Sequence, residues 1–161
     1  GYSTYLAKKN YDLVMQEAQK AQQKILVLEQ KRNLVQVSDD GVLVKIYNHG
    51  GMCISEEACQ STRLIMLDGK VVFDGRDVGS LSELELSDLK KELGLVDYNR
   101  LGAIKFTGTC PMAYDGQETV YTFYPRGAER SYASCTVQID ESLSLFRLLD
   151  HVFIRLNNIK N

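Results

Sequence analysis

The chain has 161 residues, 44% apolar and 25% charged, and its 19 Lys and Arg against 21 Asp and Glu leave a formal net charge of −2. That profile is a folded globular protein, and its length fits one domain, or a domain of about 130 residues with a helical extension, better than two full domains. Near-balanced charge removes the basic excess that a nucleic-acid binder gathers on one face, and no run approaches the ~20 apolar residues of a membrane span.

The chain opens at Gly1-Tyr2-Ser3 without the basic and apolar regions of a signal peptide, and enters a helix almost at once. The expectation is a chain from which a signal or membrane anchor has been cut away. The first element is a helix over Tyr5 to Arg32, free of Gly and Pro. Ala7, Tyr11, Val14, Ala18, Ala21, Ile25 and Leu28 alternate at intervals of four and three, a heptad seam narrowed by alanines at its middle. Such a face packs on its own domain or on another helix. The organisation expected is therefore residues 1–32 as a stalk or packing helix and 33–161 as the main domain.

After the helix the period becomes alternating. Leu34 to Val37 and Val42 to Tyr47 flank Ser38-Asp39-Asp40-Gly41, and Arg63 to Leu67 and Lys70 to Phe73 flank the hairpin turn Asp68-Gly69, which predicts four antiparallel strands. Between them lies the loop Asn48 to Gln60. A second helix carries an S-x-x-E capping box at Ser82 and Glu85, a staple of Leu81 with Leu86, and a stop at Gly94, with Leu86, Leu89, Leu93 and Leu84 as its buried face. Val96 to Gly102 is ambiguous, and Ala103 to Thr107 is expected as a strand. Thr119 to Tyr124 and Ser131 to Ile139 read as a long hairpin. Asp140 is the expected N-cap of a last helix, Glu141 to Asn157, with Leu145, Leu148, Leu149, Val152, Phe153 and Leu156 as its core stripe. No βαβ alternation occurs, so the fold class is α+β: a long N-terminal helix, an antiparallel sheet of about five to seven strands, and a middle and a C-terminal helix on one face.

Four cysteines, Cys53, Cys59, Cys110 and Cys135, accompany only two histidines. Oxidised pairing is expected, and of three connectivities spacing favours Cys53 with Cys59 and Cys110 with Cys135, the latter closing a loop whose constraint stabilises by roughly 3 to 4 kcal/mol. The alternatives are four buried thiols or a zinc site, the second disfavoured by the absence of any C-x-x-C pair. Disulfides place the protein outside the reducing cytoplasm, in the periplasm or at the cell surface.

No catalytic, cofactor or metal residue is assigned. His49 precedes Cys53 by four positions, which suits a thiolate and base, but a sulfur paired with Cys59 cannot act as nucleophile. Carboxylates at Asp39-Asp40, Glu56-Glu57 and Glu83 with Glu85 fit turns, loops and a cap. Asp115 and Glu118 lack the ligand series of a calcium loop. G-x-S-x-G, G-x-G-x-x-G and phosphate-loop motifs are absent. Tyrosines gather around Cys110 to Cys135, as hairpin partners or as an exposed recognition surface. The candidate binding surface is His49, Tyr114, Asp115, Glu118 and Tyr124.

The runs Gly50-Gly51-Met52-Cys53 to Cys59, Leu67-Asp68-Gly69-Lys70, and Thr107-Gly108-Thr109-Cys110-Pro111 to Asp115-Gly116-Gln117-Glu118 resemble small bacterial secreted or lipoprotein-type domains of unknown function. That likeness spans Leu43 to Leu156, implies an envelope location and supplies no activity to carry over. In architecture the chain also resembles the soluble domains of type IV pilins and pseudopilins, from which it departs in lacking their N-terminal apolar segment and in its C-terminal helix. The expected function is a non-enzymatic binding or structural module of a membrane-tethered envelope protein. A pilin-like subunit is the alternative, and a small thiol or hydrolytic enzyme a distant third. Its partner would be a protein or cell-envelope component, with no nucleic acid and no cofactor, and with self-association limited to a monomer or weak oligomer through the N-terminal helix.

Overall fold

The computed structural model describes the backbone of residues 1–34 and 37–158, and side chains outside 28–36. The chain divides into two compact units, Gly1–Leu34 and Val35–Asn161. The first is one helix, α1, Tyr2–Leu34, longer at both ends than its spacing predicts. The good helix formers Lys31 and Arg32 carry it to Leu34, so the expected strand Leu34 to Val37 is overturned at Leu34, and residues 35 and 36 lie outside the described residues. Every side chain from Gly1 to Val27 is exposed.

The second unit is built on a six-stranded antiparallel sheet, β1 Val42–His49, β2 Ser61–Met66, β3 Lys70–Phe73, β4 Arg76–Ser80, β5 Glu118–Phe123 and β6 Arg130–Ala133, in the order β4-β3-β2-β1-β5-β6. β4 is absent from the expected elements. It follows Asp74-Gly75, whose backbone takes positive φ at both residues and closes a tight hairpin onto β3. Val37 is a bend and no strand residue, and the turn before β1 is closed by Ser38 N–H donating to Val42 O and Val42 N–H to Ser38 Oγ, each at 2.9 Å.

One sheet face is the core. Val44 lies opposite Ile65 on β2 and Phe123 on β5, and Ile65 opposite Val71 on β3; all four are at most 1% exposed. A bulge between Val42 and Val44 interrupts the alternation, so that Leu43 is buried as well. Onto this face pack α2, Glu83–Leu95, through Leu89 and Leu93, and α4, Ser144–Asn158, through Leu145, Phe146, Leu149, Val152 and Leu156. With two disulfides, this is the expected α+β architecture.

Departures are local. Leu84 is exposed, because it lies on the side of α2 away from Leu89 and Leu93. The capping box forms as read, with Glu85 N–H donating to Ser82 Oγ and Ser82 N–H to Glu85 Oε1. The carboxylate has a further partner in Arg155 of α4 at 2.7 Å. Burial raises the Glu85 pKa, but the Ser82 and Arg155 hydrogen bonds and the guanidinium charge together outweigh it and hold the carboxyl below its usual range. The ambiguous stretch contains a short helix, α3, Tyr98–Leu101, capped by Asp97. Ala103 to Thr107 makes only a single bridge, Lys105 to Val137, in place of a strand. Ser131 to Ile139 holds strand geometry only to Ala133, after which the Thr136 and Val137 amides turn back to Ala133 O and Cys135 is drawn into its disulfide. α4 begins at Ser144 and not after Asp140, whose carboxylate closes a preceding turn by accepting from Ser142 N and Oγ. No described helix is long and apolar enough to cross a membrane.

Candidate functional site

The register of β1 against β5 sets His49, the last residue of one strand, opposite Glu118, the first of the other. The loops that enter β5 and leave β1 therefore emerge side by side at one end of the sheet. Residues 50–60 form the first, closed on itself by Cys53–Cys59 through a 3-10 turn over Glu57–Cys59. Residues 110–117 form the second, tied by Cys110–Cys135 to the segment after β6. Both cysteine pairs are joined as spacing favoured, and no cysteine is free.

The two loops clasp each other through polar contacts. Asp115 Oδ1 accepts from the Met52 amide, and Gln117 Nε2 donates to Cys59 O at 3.1 Å and Gly50 O at 3.4 Å. Glycine is required at the seam: Gly50 and Gly51 sit at φ of 101° and 100°, and a Cβ on Gly116 would fall 2.6 Å from Pro111 Cβ. Beneath them His49 Nε2 and Glu118 Oε1 are 2.8 Å apart, and Glu118 Oε2 accepts the Cys135 amide at 3.2 Å. Tyr47 stacks on the imidazole with centroids 5.1 Å apart. Glu118 thus joins β1, β5 and the second disulfide through one carboxylate.

Four large apolar side chains stand on this clasp and face water: Met52 at 86% exposure, Ile54 fully exposed, Tyr114 at 76% and Met112 at 41%. The two loop segments themselves carry charge of one sign. Neither 48–62 nor 106–125 contains a Lys or Arg, whereas Glu56, Glu57, Asp115 and Glu118 all lie there. Exposed apolar side chains in a rigid setting, rimmed by polar residues, mark recognition surfaces more than folding cores.

Of the candidate surface, His49, Tyr114, Asp115 and Glu118 are brought to this one end. Tyr124 is not: it follows Phe123 at the far end of β5, beside Asp40 and Glu129, where burial and those two charges push its phenol pKa up. Asp115 and Glu118 diverge, the first to Met52 and the second to His49, so they do not converge on a cation. The Cys110 and Cys135 sulfurs lie within 4.8 Å of a Glu118 oxygen, but they are bonded to one another. Cys53 offers no thiolate to His49 while it is paired with Cys59. Sequence reading missed Met52, Ile54, Met112 and Gln117. Their signal was available: apolar residues inside a short loop rich in Gly, Ser and Glu and closed by cysteines have no route to the core.

No protein-family model, curated protein or solved structure matches this chain.

Proposed function

We propose that this chain is a non-enzymatic recognition or structural module of a bacterial envelope protein, working outside the cytoplasm and tethered to the membrane, with the clasped loops as its working face and α1 as spacer. The observation that carries this reading is the exposure of Met52, Ile54, Met112 and Tyr114 on two loops that both disulfides and the Asp115 and Gln117 contacts hold rigid. Ordering loops before encounter lowers the entropic cost of binding, and apolar anchors supply the contact energy. Oxidised cysteines support a compartment beyond the cytoplasmic thiol pool. The absence of Lys and Arg from both loop segments favours a protein or envelope component that presents basic groups around an apolar pocket.

A photo-crosslinking residue placed at Ile54 in cells that make the protein tests this. The expected result is a discrete adduct with an envelope component, absent when the same residue replaces Asp88 on the exposed side of α2. Equal labelling from both positions, or none from Ile54, would remove the recognition face.

A type IV pilin or pseudopilin-like subunit is a second reading. It is supported by the 33-residue helix preceding an antiparallel sheet with a disulfide-fixed loop.

A further inference from the structure

Helices in proteins draw most of their stability from an apolar face that packs. On α1, Tyr11 and Val14 are each 64% exposed and Ile25 54%, and no side chain from Gly1 to Val27 is buried. These residues lie within the helix Tyr2–Leu34. With Ala7, Ala18 and Ala21 they occupy alternating d and a heptad positions, Ala7 at d, Tyr11 at a, Val14 at d, Ala18 at a, Ala21 at d and Ile25 at a. A second row at c, Leu6, Leu13 and Val27, is interrupted by Lys20. The d and a seam is therefore the continuous one.

The flanking charges select the partner. Glu17 and Lys24 occupy successive g positions of the same helix, so the face carries its own complement. In an antiparallel pair each a residue meets a d residue, and g positions face g positions. Centring the pair on Ala18 against Ala21 of a second copy sets Val14 against Ile25 and Glu17 against Lys24, each twice by symmetry. It also sets Lys8 against position 29, a Glu. The parallel arrangement places Tyr11 on Tyr11 and Glu17 beside Gln22, and gains only Lys24 with position 29. Alanines at the central layer let the axes approach near the short end of the usual 8–10 Å.

We propose that α1 pairs with α1 of a second copy of this chain as an antiparallel coiled coil centred on the Ala18 and Ala21 layer. The pairing is independent of what the loop face binds.

Analytical ultracentrifugation of the full chain over a wide concentration range tests it. The expected behaviour is a reversible dimer that weakens as salt is raised. Glu17→Lys and Lys24→Glu each turn two attractive contacts into repulsive ones and should weaken the dimer by about tenfold, while the double exchange restores it. An equimolar mixture of the two single variants should form a heterodimer tighter than either homodimer. Val14→Lys should abolish dimerisation, whereas Leu13→Lys at c should leave it intact, with circular dichroism confirming an unchanged sheet domain. A wild-type chain that stays monomeric throughout, open-ended filaments, or charge exchanges without effect would each overturn the antiparallel pair.

Discussion

Both α1 and α4 show their apolar spacing openly in the sequence, yet their side chains meet opposite environments. On α4 the apolar residues spread over a broad face, and Leu145, Phe146, Leu149, Val152 and Leu156 are all at most 5% exposed. On α1 the seam is a two-position stripe, three of whose members are alanines, and its side chains from Ala7 to Ile25 are exposed. Breadth and volume distinguish the two helices; regularity does not. A stripe near 100° wide, filled by Leu and Phe, removes enough apolar area from water to define a core, while a narrow one suits a helical partner.

The largest effect that would sharpen this contrast is expected from Phe146→Ala. It should cost about 3–5 kcal/mol of unfolding free energy in urea, from lost burial and the cavity left against Tyr121 and Phe123. The matching change on the other helix, Val14→Ala, should shift the same transition by less than about 0.5 kcal/mol. Comparable losses from the two variants would break the contrast.

A smaller effect is expected where α4 meets the cap of α2. Glu85→Gln removes the charge shared between the Ser82 box and Arg155 and should cost about 1–2 kcal/mol near neutral pH. The sign of its pH dependence follows from the depressed carboxyl. Glu85 contributes its stability above the ordinary carboxylate range and loses it as pH falls through the lowered folded value, so the gap between wild type and variant should shrink below about pH 4. A gap that widened on acidification would contradict the assignment.

How far the sequence could be read depended on range. The Ser82 and Glu85 box lies within four residues and forms as its pattern requires, but its Arg155 partner is 70 residues away and was not legible. Asp74-Gly75 repeats the dipeptide of Asp68-Gly69, yet β4 was missed because Arg76-Asp77-Val78-Gly79-Ser80 has almost no apolar alternation for an edge strand to display. Pairing of His49 with Glu118 needs β1 beside β5, a non-local arrangement that spacing does not encode. Tyr124 was separable in advance, since a strand running from Glu118 to Phe123 carries the chain roughly 20 Å away. The cysteine pairing was readable because each partner is near in sequence and the loops they close are plain.

The state of those sulfurs underlies both the clasped face and the proposed compartment. Alkylating the protein as it leaves its host, without reductant, and measuring intact mass addresses this directly. No cysteine should be alkylated before reduction and four after it, with Cys53 linked to Cys59 and Cys110 to Cys135 in the non-reduced digest. Four labelled thiols in the native protein would contradict it.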